Sequence, residues 1–248
     1  MAGTAVLGRL TWRVADVVDL VRETPRVTTI VFDVPGWPGH RAGQHVDVRL
    51  TAEDGYRTER SYSIASAPDG NRLALTVVRV PEGEVSPYLT DVLRPGDQIE
   101  LRGPVGGYFV WEPAHGGPLL LVAGGSGIAP LMAMVRLRAE TGSDADTRLL
   151  ASSRTREDII FRAELERLAG DGLTVVHTLT ASQPPGWDGY ARRVDAAMLA
   201  EVGPRPAAAP KVYVCGPTPF VEAVGEALVA LGHEPQRIKT ERFGPTGE

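Results

Sequence analysis

The chain has 248 residues, room for one or two domains that each hold a core of their own. With 31 acidic against 26 basic residues, its formal charge of -5 gives no electrostatic support to a nucleic-acid role, and no apolar run approaches the ~20 residues of a membrane helix. A single cysteine, Cys215, excludes an intrachain disulfide and argues against a cysteine-ligated metal or iron–sulfur site; the stretch Met1 to Arg13 has no signal-peptide core, so a cytoplasmic location is expected.

In chain order, the first half reads as β structure. Ile30, Phe32 and Val34 alternate with less apolar neighbours, as do Val46, Val48 and Leu50, and Leu73, Leu75 and Val77. Between these runs stand the turn signals Pro35-Gly36, Pro38-Gly39, Pro68-Asp69-Gly70 and Pro95-Gly96-Asp97. Short alternating strands broken by such turns predict a small barrel or sandwich. The pattern changes near Glu112, and Pro113 to Pro118 reads as a linker, so a boundary is expected between residues 1–113 and 114–248. Beyond it, apolar strands at Leu119 to Val122, Leu149 to Ala151, Leu173 to Val176 and Val212 to Cys215 alternate with helical stripes. These stripes are Leu131/Met134/Val135, Phe161/Leu165/Leu168 and Phe220/Val224/Leu228/Leu231. That alternation predicts βαβ units on a parallel sheet.

The segment Ala123 to Pro130 joins the first of these strands to its helix and contains Gly125-Ser126-Gly127-Ile128. Glycines allow a sharp turn and a close backbone approach, and the helix N-terminus beyond them favours an anion, so the segment suits a pyrophosphate. A GxG turn alone also fits a plain strand-to-helix connection. The next strand ends in Ser152-Ser153-Arg154, where an NAD-binding unit often carries an acidic residue for the ribose 2′-hydroxyl. Hydroxyls and an arginine suit a 2′-phosphate instead, although Arg154 alone could be a solvated loop charge.

Four motifs in order resemble the ferredoxin–NADP reductase family, in particular the reductase modules of bacterial oxygenase systems. They are Arg60-Ser61-Tyr62-Ser63, similar to the family's Arg-x-Tyr-Ser flavin motif; Gly83-Glu84-Val85-Ser86, similar to its flavin-pyrophosphate loop, with Gly103-Pro104-Val105-Gly106 closing the barrel; the glycine loop Gly125 to Pro130; and Cys215-Gly216-Pro217, its nicotinamide-side motif. The likeness covers nearly the whole chain. It implies an antiparallel β-barrel FAD-binding domain followed by an α/β parallel-sheet NAD(P)-binding domain, as the periodicities also suggest.

The resemblance further implies roles. Arg60 pairs with flavin phosphate, Tyr62 stacks on the isoalloxazine, and Ser63 hydrogen-bonds flavin N5. Thr76, Val77 and Val78 line the flavin through strand backbone, and Val85 and Ser86 hold the pyrophosphate. Cys215 and Glu241 lie by the nicotinamide, and Phe243 lies by the flavin. Taken singly, each has a plainer explanation: a half-buried strand tyrosine, a helix-capping serine, a small core cysteine.

Two departures from the family pattern matter. The iron–sulfur module of many relatives needs four cysteines, and this chain has one and ends just past the reductase core. After the third α/β strand, where NADP-type members often show Ser-Arg or Thr-Arg, Thr180 is followed by Ala181; Arg193 stands where relatives carry a second phosphate-binding arginine. The expectation is an FAD-dependent enzyme oxidising NADPH, or NADH, and delivering electrons to a separate acceptor such as a ferredoxin, a Rieske protein or another metal-centre oxidoreductase, with no resident metal, nucleic-acid or membrane partner. A reductase of free flavins or quinones, and a non-catalytic FAD-binding redox sensor, stay open at this point.

Overall fold

The computed structural model describes residues 10–244; residues 1–9 and 245–248, which hold most of the stretch read above for a leader, lie outside the described residues. The first part is a six-stranded antiparallel sheet of β1 (Trp12–Thr24), β2 (Val27–Asp33), β3 (His45–Thr51), β4 (Arg57–Ser63), β5 (Arg72–Val78) and β6 (Gln98–Val105). Its spatial order is β4-β3-β6-β1-β2-β5. The sheet rolls up so that its two edge strands meet, through an Ile64–Leu75 bridge and an Ala65 N–H donating to the Ala74 carbonyl at 2.8 Å. The alternating residues Ile30, Phe32, Val46, Val48, Leu73, Leu75 and Val77 fill the barrel. The short helix α1 (Val85–Pro87), continued by a wider turn over Tyr88–Val92, packs Val85, Leu89 and Leu93 against the same core.

Sequence periodicity missed β1, β4 and β6. In β1 the alternation is broken twice by register shifts against β2, one of which leaves Glu23 out of the pairing between Arg22 and Thr24. A bulge of this kind re-aims a side chain.

The second part is a parallel sheet of β7 (Leu119–Gly124), β8 (Thr147–Ser153), β9 (Leu173–Leu179), β10 (Lys211–Pro217) and β11 (Ile238–Phe243), in the order β11-β10-β7-β8-β9. Its strands are apolar on both faces because both are covered. Leu120, Val122, Leu150, Val212 and Val214 pack on α4 (Ala196–Val202) and α5 (Thr218–Ala230). Leu119, Leu121, Leu149 and Tyr213 pack on α2 (Ile128–Glu140) and on Leu165 of α3 (Arg162–Leu168), and this second core runs on into Ala42, Ala65, Phe109 and Trp111 beside the barrel. Phe161, expected on the helical face of α3, instead caps that helix in the left-handed conformation at φ 59°. Its ring lies 4.8 Å from the Arg136 guanidinium, and that packing fixes a backbone a non-glycine residue otherwise avoids.

The chain leaves β7 for β8 on one side and returns later to β10 on the other. The ends of β7 and β10 are therefore a topological switch point, where open α/β sheets bind ligands.

Candidate functional site: an open barrel seam facing a glycine loop

Beyond the Ile64–Leu75 bridge, β4 and β5 splay apart. The barrel is left open along that seam, and its backbone groups there are free to meet a ligand. A cleft of about 510 Å³ occupies the seam. Arg60, Ser61, Tyr62 and Ser63 form one wall; Thr76 and Val78 form the other; Gly83, Val85 and Ser86 close one end, and Ser126, Ala129 and Phe243 face them from the second domain.

The chemistry of the lining is graded. Arg60 is exposed and donates to the neighbouring Glu59 carbonyl at 2.7 Å; the Glu59 carboxylate is engaged elsewhere, by Arg49 and Arg102. The Ser86 hydroxyl accepts from the Val80 N–H at 3.0 Å and still has its own proton to donate. Burial pushes the Tyr62 phenol up to about 12, so it is neutral at physiological pH. A phosphate-seeking end and a flat apolar end in one elongated seam fit a flavin dinucleotide. Ser61 spends its hydroxyl on Asp47 at 2.7 Å. Alternation turns the Val77 side chain into the barrel core, so only its backbone can serve the cleft, the backbone role that the family resemblance implies.

The switch point is built by close approach. A Cβ on Gly127 would stand 2.1 Å from the Cys215 carbonyl oxygen, and one on Gly216 would stand 3.2 Å from Gly124 Cα. Gly125 turns through φ +54° with open space around it. Ser126 reaches the cleft, whereas Ile128, the first residue of α2, buries its side chain in the core and offers only its backbone. Cys215 is buried and Pro217 exposed at the strand end.

Cys215 pairs with Glu241 across β10 and β11. Burial, reinforced by the Glu241 carboxylate, holds the Cys215 thiol well above its ordinary value, so it is a neutral packing group and not a nucleophile. Desolvation raises Glu241 to about 7, and its Oε2 is shielded without a hydrogen-bond partner. Its Oε1 lies 4.0 Å from His45 Nδ1, and His45 is the register partner of Ser63. A line of polar groups therefore runs from the cleft wall at Ser63 through His45 to Glu241 and Cys215. Sequence reading missed His45, which looks like any polar residue of an alternating strand until the sheet register is known.

Ser153 ends β8 and Arg154 follows it, and their carbonyls accept from the Thr180 and Ala181 N–H groups at 3.0 and 2.8 Å. Ala181 thus sits beside Arg154 and supplies no side-chain donor. Arg192 pairs with Asp195 at 2.8 Å and lies over the Tyr190 ring, whereas Arg193 is exposed. Among the described residues, neither Arg154 nor Arg193 makes an ion pair.

An oxidoreductase FAD-binding domain matches residues 18–110, and an oxidoreductase NAD-binding domain matches residues 121–226. The chain is 38% identical over 211 residues to ferredoxin–NADP reductase B of Sorangium cellulosum, covering 82% of this chain and 84% of that protein. The chain belongs to the ferredoxin–NADP reductase family. Within the family it is also 34% identical over 237 residues to the glycine betaine monooxygenase reductase subunit of Pseudomonas aeruginosa strain UCBPP-PA14, covering 92% of this chain but 63% of that subunit's length. Among solved structures, the flavohem-like FAD/NAD-binding domain of nitric oxide dioxygenase from Vibrio cholerae superposes with a TM-score of 0.84 at 26% identity, over 94% of this chain and 99% of that one. The family places this chain among FAD- and NAD(P)-binding reductases. No helix among the described residues is long and apolar enough to cross a membrane.

Proposed function

We propose that the chain takes a hydride from NAD(P)H onto FAD held in the barrel seam and passes the electrons to a separate redox protein. The observation that carries this reading is the seam itself, which sets Arg60 and Ser86, groups suited to a phosphate, in one cleft with Tyr62 and Ser63, the latter beside His45 and so near Glu241. FAD in such a site accepts two electrons as hydride and can release them singly. Arg60 and Ser86 with the Val85 N–H bind its phosphates, Tyr62 covers a ring face, Ser63 orients the N5 edge, and Thr76, Val77 and Val78 border it through their strand. The loop Gly125 to Ile128 receives the nucleotide pyrophosphate. Cys215, Gly216 and Pro217 shape the nicotinamide pocket, and Glu241 and Phe243 close it. These groups position the reactants and keep water out; none of them forms a bond to substrate.

The test has two steps. Denatured protein should release FAD and not FMN. Anaerobic NADPH should then bleach the bound flavin, and the reduced protein should be reoxidised far faster by a ferredoxin or Rieske protein than by free flavin or a quinone. Faster reoxidation by the small acceptors would favour a diffusible-acceptor reductase, and absence of turnover would favour a sensor.

Three substitutions probe the ligand ends. Arg60→Ala is expected to weaken FAD binding by about 1.5–3 kcal/mol, roughly ten- to a hundredfold, since it removes a charge-assisted phosphate contact; FAD titration of the stripped protein checks it. Arg154→Ala and Arg193→Ala are each expected to raise the KM for NADPH at least tenfold while leaving that for NADH nearly unchanged, because only NADPH carries the 2′-phosphate. Equal changes for both nucleotides would assign these arginines to the surface.

A further inference from the structure

A second polar line leaves the cleft from its other wall. Thr76 of β5 and Thr29 of β2 are direct cross-strand partners, and their hydroxyl oxygens are 2.9 Å apart, both side chains buried. Thr29 in turn donates to Glu23 Oε1 at 2.9 Å. Glu23 is the residue that the β1 bulge leaves unpaired. It also lines a separate solvent-open cavity of about 340 Å³ at the junction of barrel and second domain, together with Arg22, Arg156, Glu157 and Arg162. Three side chains thus connect the flavin cleft to solvent on another face of the molecule.

A hydroxyl has one proton to give. Thr29 gives its proton to the Glu23 carboxylate, so at Thr76 it can only accept, and the Thr76 proton is committed to Thr29. Towards the cleft, Thr76 is then an acceptor alone. A protonated Glu23 can donate to Thr29, which frees Thr29 to donate to Thr76 and Thr76 to donate into the cleft. Resting on the reading that the cleft holds FAD, we propose that Glu23 is a positioning residue that acts through Thr29 to set the sense of the Thr76 hydrogen bond to the bound flavin, accepting when Glu23 is ionised and donating when it is protonated.

The surroundings of Glu23 move this change above the ordinary carboxylate range. Burial raises its carboxyl above the ordinary value, the Thr29 hydroxyl, the Arg136 guanidinium and the Phe161 amide oppose that, and the Glu164 carboxylate adds to it. Arg136 reaches this junction from α2, bound to both Glu164 oxygens at 3.0 and 2.6 Å and to the Ala65 carbonyl at 2.8 Å. From the second domain, Arg162 and Glu164 of α3 and Arg156 and Glu157 of the preceding turn face Glu23; from its own strand, Arg22 does. A hydrogen bond donated to a flavin favours its reduced, more negative form, so the bound flavin is easier to reduce below the Glu23 titration than above it.

The experiment is the midpoint potential of the FAD-loaded protein from pH 5 to 9, in wild type, Glu23→Gln and Thr29→Val. The wild-type curve is expected to carry an extra bend that both variants lose. Thr29→Val is the deciding variant, because Glu23 still titrates there but its hydrogen-bond connection is cut. A bend kept in Thr29→Val and lost in Glu23→Gln would mean that the charge acts through space, and it overturns the proposal; so do curves that run parallel in all three proteins. Should Thr29→Val fold poorly, Thr29→Ala, which cuts the same connection, replaces it: a bend kept there overturns the proposal, and a bend lost supports it. Protein that takes up no FAD overturns the reading of the cleft and this proposal together, which sets that failure apart from the others.

Discussion

In single-turnover mixing with NADPH, Ser63→Ala is expected to bleach its flavin on the order of a hundredfold more slowly than wild type while keeping FAD bound. The reason is geometric. Ser63 stands on the cleft wall at the point where β4 pairs with His45, and His45 links it to Glu241 of the other domain. On the proposed reading, removing the hydroxyl would leave Arg60, Tyr62 and Ser86 to bind the cofactor but would loosen the edge at which the hydride arrives, and a misplacement of about 1 Å is enough for such a loss. Glu241→Gln should slow the same step and also remove its pH dependence near 7, because burial holds that carboxyl at about 7. In wild type the proton is on Glu241 below that pH and lost above it. Cys215→Ala, beside Glu241 but in the core, should have the smaller effect. Wild-type rates in Ser63→Ala and Cys215→Ala would dismiss the whole line as packing.

Gly127→Ala is expected to cost about 3 kcal/mol of stability, at the upper end of what an overpacked site loses. Its backbone is an ordinary helical one, φ -59°, so the penalty is steric alone. The added methyl would lie 2.1 Å from the Cys215 oxygen and 2.8 Å from the Gly216 nitrogen, both backbone atoms that cannot swing away. Gly125→Ala makes the contrast. Its methyl meets open space, and only its left-handed φ of +54° is penalised, by about 1 kcal/mol. Urea midpoints of the two variants should therefore separate clearly; equal shifts would mean that the ends of β7 and β10 relax apart without cost.

The two sheets could be read from the sequence because their periods differ. Leu73, Leu75 and Val77 alternate; Leu119 to Val122 do not, being covered on both faces. β1 was not legible, since a bulge destroys the period that a strand is recognised by, and β4 was legible only as a motif, because its seam-facing residues are polar. The candidate site divides in the same way. Residues whose type is unusual at their place, such as Arg60 in a strand or Gly127 in a loop, announce themselves. His45, Glu23 and Thr29 do not: each is an unremarkable residue in sequence, and register alone brings it to another group.

A barrel left unzipped between β4 and β5 also bears on how the protein is stored and made. Two strand edges that elsewhere would be paired are exposed when nothing lies between them, and unpaired edges are templates for another chain. A flavin bound in the seam, as proposed above, would take the place of the missing rungs. Its loss would lower the stability by mass action and open a surface for self-association, so protein prepared with excess FAD should stay monodisperse under conditions in which the stripped protein precipitates.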